Sequence, residues 1–531
     1  MTSIFTADDR RTRQRILEAA VVLIAERGLS LELLKESAAL AGYPVERAEV
    51  FFRRDEDLVV AFYARLAAQL EARVTELPEG DLATRFKAGM LFKLEMIAPH
   101  RETFASLLAT LLDPRHELGV LSPQTQIIRD RVMSFFSAVV LGATGSRNSG
   151  NTEVVRSLYA AHLAIILLWS QDRTSDLLAT RAAIDFVSDL LSLSSKLAWL
   201  PNINKSLGRL DAISAEFVEP PPDREQTQLS VEILRQLFTH RRLQADTGTC
   251  VRNPCEQCFA LHLPKVRRFV AANEPIHFLL PAFPAKSPNP QKVLGRLPDM
   301  AEETALHFLE RVSDELRHLY SPGARISICS DGRVFSDLVG VTDEDVSNYS
   351  VELRLLMERI SARALDFFSM EDLFDVEDHA AMREQLVIHY ADSLAAIENR
   401  AHQHEHHRTI FNGIQRFLFE DRLGVGTTKS RNQVRNECKD LAYQVIQRSD
   451  GWSRLLSDCF PTALRLSIHP QGPHSEKIGI LLGEANDSWL TPWHGVAVKQ
   501  QDKFTLMRRH EAEALGAKIV EREGRPSHYQ L

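Results

Sequence analysis

Apolar positions in the first two hundred residues recur at helical spacing. Ile16, Ala19, Ala20, Leu23 and Ile24 sit three and four apart, and the same rhythm runs through Leu58 to Leu70 and Phe104 to Leu112. That spacing puts the apolar side chains on one face of a helix. Strand-like alternation is scarce there, so a wholly helical region, 1–200, is predicted. Periodicity fades in "LPNINKSLGRLDAISAEFVEPPPDREQTQ", where Pro220, Pro221 and Pro222 stand in a row. This stretch, 201–228, reads as a linker. The grammar then changes. A helix over 229–242 precedes "PIHFLLPAF", an apolar run of strand length. "PDMAEETALHFLERVSDELRHLY" follows as a helix, with Asp299 and Glu302 as its capping box and Ala305, Phe308, Leu309, Val312, Leu316 and Leu319 as its apolar stripe. "SPG" stops it, and "ARISICSDG" is the next strand. Strand, helix, strand predicts a right-handed crossover between parallel strands. Helices fill 343–456, and "ALRLSIHP", "EKIGILLG" and "HGVAV" supply three more strands. The expectation is a multidomain chain: an all-α domain, then an α/β domain, 229–531, with a Rossmann-like mixed sheet.

A chain of 531 residues exceeds what one hydrophobic core holds. With 44% hydrophobic and 25% charged residues it has the composition of globular protein. The net charge of −8 provides no general attraction to nucleic acid or anionic lipid. "MTSIFTADDRRTRQR" lacks a signal-peptide core, and the apolar run "AAHLAIILLW" falls short of the roughly 20 residues a span needs. A cytoplasmic protein that does not enter membranes is expected. Three of the six cysteines cluster in "CVRNPCEQCFALH", where Cys250, Cys255, Cys258 and His262 are of zinc-ligand type. No second CxxC or histidine pair closes a tetrahedral set, so free thiols in local packing are the favoured reading and no metal is expected. In "HQHEHH", His402 and His406 share a helical spacing, but a solvated helix end explains them as well.

The two predicted parallel strands place chemistry at one end of the sheet. The loop from Pro281 to Gly295 leaves the carboxyl end of the first strand, and "SDG" leaves that of the second. Ligands of open α/β sheets bind at this end. Lys286, Ser287, Asn289 and Lys292 are therefore expected beside Ser330, Asp331 and Arg333. Lysines near a helix start suit a phosphate, an aspartate suits proton transfer or an amine, and the prolines hold the loop in shape beforehand.

Over about residues 250–510 the chain resembles the isocyanide (isonitrile) synthase family. The resemblance lies in "PIHFLLPAFPAKSPNPQKVLGRLPDMAEETAL", "YSPGARISICSDGRVFSDLVGVTDEDVSNY", "RFLFEDRL", "AYQVIQRSDGWSRLL", "ALRLSIHPQGPHSEKIGILL" and "WLTPWHGVAV", in this order. It implies an enzyme of secondary metabolism that takes an α-amino acid, commonly tyrosine or tryptophan, with ribulose 5-phosphate. The amino nitrogen becomes the isocyanide nitrogen, and the sugar's ketone carbon becomes the isocyanide carbon. No metal or organic cofactor is implied, and a neighbouring iron- and 2-oxoglutarate-dependent oxygenase often processes the product. Chemistry then suggests roles. Lys286, Lys292, Arg333, Arg465 and Lys477 are cation candidates for the phosphate. His469 and His494 are candidates for moving protons. Asp331 is placed to act on the amine, with Asp337 supporting it.

Residues 12–58 resemble the DNA-binding end of TetR-type regulators, in "TRQRILEAAVVLIAERG", "LELLKESAALAG" and "YPVERAEVFFRRDEDL". The resemblance implies ligand-binding and dimerising helices over 59–199, and a homodimer. Pro44, Glu49 and Asp55 stand where that family has a serine, an aromatic that touches DNA and a lysine. Residues 1–58 carry nine Lys/Arg against eleven Asp/Glu. Arg13, Arg47 and Arg53 remain as DNA contacts, but carboxylates facing phosphates argue that DNA binding is weakened or lost. The competing reading is a regulator whose C-terminal domain senses a sugar phosphate or an amino acid without turnover.

Overall fold

The computed structural model describes residues 7–113, 115–144, 152–197, 224–244, 250, 253–374, 376–403, 405–425, 428–460, 462–485 and 489–531. Most of the expected linker, 201–223, lies outside the described residues. The helices of the first part are α1 (Ala7–Arg27), α2 (Leu33–Leu40), α3 (Val45–Glu49), α4 (Asp55–Ala72), α5 (Leu82–Ile97), α6 (Arg101–Leu112), α7 (Gln126–Leu141), α8 (Thr152–Gln171) and α9 (Leu178–Leu197). Next come α10 (Arg224–Phe238), α11 (Glu256–Ala260), α12 (Leu263–Ala272), β1 (Ile276–Pro281), α13 (Met300–Leu319), β2 (Ala324–Cys329), α14 (Gly332–Val339), α15 (Asp343–Arg359) and β3 (Leu365–Phe368). The chain continues through α16 (His379–Tyr390), α17 (Leu394–Gln403), α18 (Glu405–Val425), α19 (Arg431–Cys459), β4 (Leu464–Ser467) and β5 (Ile478–Gly479). It ends with β6 (Val496–Gln500), β7 (Lys503–Met507), α20 (Arg509–Ala514), β8 (Lys518–Arg522) and β9 (Arg525–Gln530).

Two compact units result. One holds residues up to 231 with 254–271 and 456–462; the other holds 232–253, 272–455 and 463–531. In the first unit the apolar stripes of α1, α4, α7 and α8 meet in one core, with Ile16, Ile24, Phe62, Phe136 and Trp169 all within it. Gly28 ends α1 in the left-handed region (φ +77), which a glycine enters freely. Helix α8 contains an 18-residue window, Val154–Gln171, with the length and composition of a membrane span. Its Val155, Leu158, Tyr159, Ile165 and Trp169 are buried in the helical core. The run is longer than the sequence reading allowed, because residues flanking 160–169 extend it.

The arginines expected at DNA are engaged in part. Arg47 pairs with Asp8 (2.8 Å) and Asp9 (2.7 Å), and Arg13 lies over the Phe52 ring (5.1 Å). Arg53 is exposed. Asp55 turns inward, its Oδ1 accepting a hydrogen bond from Leu34 N at 2.6 Å at the start of α2.

Among the described residues the second unit has two sheets rather than the one mixed sheet expected. The first runs β3-β2-β1-β4-β5 and is parallel throughout. β1 and β2 pair from Ile276↔Ala324 to Pro281↔Cys329. The second sheet, β7-β6-β9-β8, takes the "HGVAV" strand, and mixes antiparallel pairs with one parallel pair, β6–β9. Helix α13 packs on β2, and Ala305, Phe308, Leu309, Val312 and Leu316 of its stripe are buried, whereas Leu319 leaves the stripe, 43% exposed. Its capping box forms as read: Asp299 Oδ1 accepts from Ala301 N (2.8 Å), and Asp299 N donates to Glu302 Oε2 (3.0 Å). In the order 3-2-1-4-5 the winding reverses between β1 and β4, the point outside whose carboxyl ends open α/β sheets bind ligands.

Candidate active site

The loops after β1 and β2 touch. Ser330 Oγ donates to Phe283 O (3.0 Å), and Ser330 N donates to Phe368 O at the end of β3 (2.7 Å). A Cβ at position 332 would come within 1.8 Å of Pro284 O, so only glycine permits the backbones to approach this closely. Phe283 holds a left-handed φ of +56, an uncommon conformation for a bulky residue, with its buried ring against Trp493 (5.3 Å). Ser287 N donates to Trp493 O (2.9 Å), which ties the same loop to the segment before β6.

The cations of this loop are not free. Lys286 is buried, its ammonium 2.9 Å from Asp299 Oδ2 and 2.8 Å from Glu302 Oε2, and it also donates to Pro492 O (3.2 Å). Despite burial, which favours the neutral amine, the two carboxylates hold Lys286 above its usual pKa. Glu302 also accepts from Tyr349 Oη (3.2 Å). Burial lifts Glu302 to about 7 against the pull of Lys286. Lys292 pairs with Asp421, which also accepts from Ser287 Oγ (3.2 Å), and its ammonium lies over the Phe417 ring (5.4 Å). Asn289 shapes the loop: its N donates to Ser287 Oγ (3.2 Å), and its Oδ1 accepts from Gln291 N (2.9 Å). Arg333 is bound by Glu371 (2.6 Å), Asp343 (2.9 Å) and Ser347 (2.7 Å). The expectation that Lys286, Lys292 and Arg333 offer uncompensated charge to a phosphate therefore gives way to geometry: carboxylates already hold all three.

Asp331 stands differently. Its Oδ1 is buried without a hydrogen-bond partner, and burial pushes the carboxyl up to about 7. The residue expected to support it, Asp337, pairs instead with Arg448 (2.6 Å) and Arg383 (3.7 Å).

In the segment before β6, His494 sits edge-on to Phe417 (5.0 Å) and shares a hydrogen bond with Thr491 Oγ1 (3.0 Å). Burial, then the charges of Lys292, His469 and Lys286, pushes His494 down to about 3. His469 is exposed, yet the surrounding protein and the charges of Arg242 and Lys477 push it down to about 4. Arg465, on β4 opposite Leu279 of β1, donates to Ser453 O (3.1 Å) and Oγ (2.9 Å). Both imidazoles are therefore neutral at pH 7, fit to accept a proton only transiently.

Glu302, Asp299, Tyr349, Asp421 and Arg242 escaped the sequence reading. Asp299 and Glu302 were visible, but their capping box accounted for them fully. Asp421 sits in the singled-out "RFLFEDRL". None of the six cysteines is in a disulfide. Cys255 and Cys258 lie 3.8 Å apart in the first unit, and in the second Cys250 lies 3.9 Å from His474, the imidazole in place of the expected His262.

The pyoverdine/dityrosine biosynthesis protein family matches residues 266–520. An L-tryptophan isonitrile synthase of Fischerella ambigua is 50% identical over 301 residues, 57% of this chain and 91% of that protein. An L-tyrosine isonitrile synthase of Pseudomonas aeruginosa is 43% identical over 309 residues, 57% of this chain and 94% of that one. The crystal structure of the PvcA protein from Pseudomonas aeruginosa superimposes with a TM-score of 0.54 at 42% identity, covering 57% of this chain and 99% of that chain.

Proposed function

The chain belongs to the pyoverdine/dityrosine biosynthesis protein family, and from that premise we propose that it is an isonitrile synthase acting on an aromatic α-amino acid, tryptophan or tyrosine, with ribulose 5-phosphate as carbon donor. The observation that carries the reading is Asp331. A half-buried carboxyl with one buried oxygen that lacks a partner, poised near neutrality at the ligand end of a parallel sheet, is suited to take and return a proton. In the first step the amino nitrogen bonds to the ketone carbon, and Asp331 takes the proton the nitrogen sheds. Asp331 hands that proton to the alkoxide, which completes the carbinolamine; it then takes the second proton of the nitrogen and gives it to the hydroxyl, which leaves as water, and an imine remains. The neutral imidazole of His494 can accept a hydrogen bond from the reacting hydroxyl. No metal and no organic cofactor takes part in this scheme. An iron- and 2-oxoglutarate-dependent oxygenase is a fitting consumer of the product.

The helical unit is read as TetR-like in origin, a homodimerising platform whose DNA contacts are weakened. The engagement of Arg47 by Asp8 and Asp9 supports the loss, whereas Asp55, held by Leu34 N, does not present its carboxylate to DNA. The exposed Phe186, Leu190 and Leu193 on α9 support pairing with a second copy.

The test uses the purified full-length chain with L-tryptophan or L-tyrosine and ribulose 5-phosphate. The isonitrile should appear by mass and by its infrared stretch. Absence of product with every aromatic amino acid, in folded protein, would favour a sensor without turnover.

A further inference from the structure

Resting on the sugar-phosphate reading above, we propose that the phosphate group seats between Arg242 and Lys477, beside His469, along the β4–β5 connection. Lys477 is the cation that the other candidates are not. Among the described residues its ammonium forms no ion pair and no hydrogen bond. Glu476 and Asp450 are the acids whose charge reaches it, and neither pairs with it. The β4–β5 register, Leu466↔Ile478, sets Lys477 abreast of Arg465 on the neighbouring strand. Burial and the Arg465 charge both disfavour its protonated form. An anion placed there would reverse that balance.

Arg242 reaches the same place from the segment after α10. Its N donates to Gly479 O (2.8 Å), and its O accepts from Gln471 N (3.0 Å), so the segment lies along both ends of the β4–β5 connection. Gly479 is what lets it close: a Cβ there would meet Arg242 O at 2.2 Å and His469 O at 3.0 Å. The guanidinium is aimed by two carbonyls, Ile468 O and Leu490 O. His469 lies close enough to both cations for their charges to depress it. Two cations and a neutral imidazole match a dianionic phosphate better than a single-charged α-carboxylate, the other anion the reaction brings.

The decisive variant is Lys477→Met, with Lys477→Arg as the control that keeps the charge. Inorganic phosphate is the binding probe, read as a rise in the melting temperature of the full chain. Wild type should be stabilised by phosphate, and phosphate should compete with ribulose 5-phosphate. In Lys477→Met that stabilisation should vanish, and KM for ribulose 5-phosphate should rise about tenfold or more, as loss of a charge-assisted contact implies. KM for the amino acid should stay within about twofold, and Lys477→Arg should restore much of the effect. If KM for the amino acid rises instead, the site holds the carboxylate and the proposal falls. Phosphate stabilisation that persists in Lys477→Met, or is absent from wild type, also overturns it. If wild type makes no isonitrile but loses its phosphate response on Lys477→Met, the subsite stands and the carbon-donor reading fails alone.

Discussion

Replacing Lys286 with methionine tests the ion triad most directly. The ammonium is wholly buried between Asp299 and Glu302, whose side chains are 5% and 0% exposed. Methionine fills similar volume, so the main loss is charge. Two carboxyl groups then face each other without a cation, and Glu302 is already raised to about 7 by burial. Breaking a buried pair by removing one partner costs about 3–5 kcal/mol. At roughly 2 °C per kcal/mol for a unit of this size, the catalytic unit's melting point should fall by about 6–10 °C at pH 8. The sign of the pH dependence follows from the raised Glu302. A carboxyl whose folded pKa lies above its unfolded value of about 4.3 loses stability as pH rises through that window, and none below it. The deficit of Lys286→Met against wild type should therefore be largest at pH 8 and shrink towards pH 5, where Glu302 takes up its proton. Differential scanning calorimetry across that range is the assay. A variant that melts with wild type at pH 8, with no pH-dependent gap, would refute the buried triad.

Asp331→Asn keeps the shape but cannot exchange a proton. Its kcat should fall by roughly a hundredfold with KM little changed, and it should lose the rising limb of kcat/KM that wild type shows near pH 7. Because burial raises Asp331 above its unfolded pKa of about 3.9, wild type loses stability from there up to about pH 7, so the variant should be at least as stable above neutrality; a less stable variant would mark the carboxylate as structural. The full chain should give no sequence-selective, salt-dependent gel shift with its own upstream DNA, and a tight one would show that Arg13 and Arg53 suffice. Light scattering should find a dimer that Phe186→Glu converts to monomer; a monomeric wild type at micromolar concentration would remove α9 as the pairing surface.

What the sequence made legible was local. The capping box and stripe of α13, the apolar runs of β1 and β2, and the glycine after Asp331 each announce themselves within a few residues. The second sheet did not. β8, "KIVER", is mostly exposed and carries charges at Lys518, Glu521 and Arg522; in the first sheet β3, "LDFF", has only four residues and was missed as well. β5 shows the opposite error, since an eight-residue apolar stretch contributes only Ile478 and Gly479 to pairing. The site charges were legible as residues but not as partners. Whether Lys286 is free depends on where α13 begins in space, and spacing along the chain does not encode that. Arg242 lies far upstream of the loops it joins, in a run of basic residues that reads as surface.

The contact between Gly332 and Pro284 has a consequence for how the protein can change. Enzymes often gain stability by tightening and gain activity by loosening, so the two are exchanged through substitutions near the site. At this seam the exchange is closed. Any side chain at 332 separates the ends of β1 and β2, and Ser330, Phe283 and Trp493 are joined to that same seam. Loosening it would spoil the packing and the placement of Asp331 together, so neither selection nor engineering can draw on it to improve one property at the expense of the other.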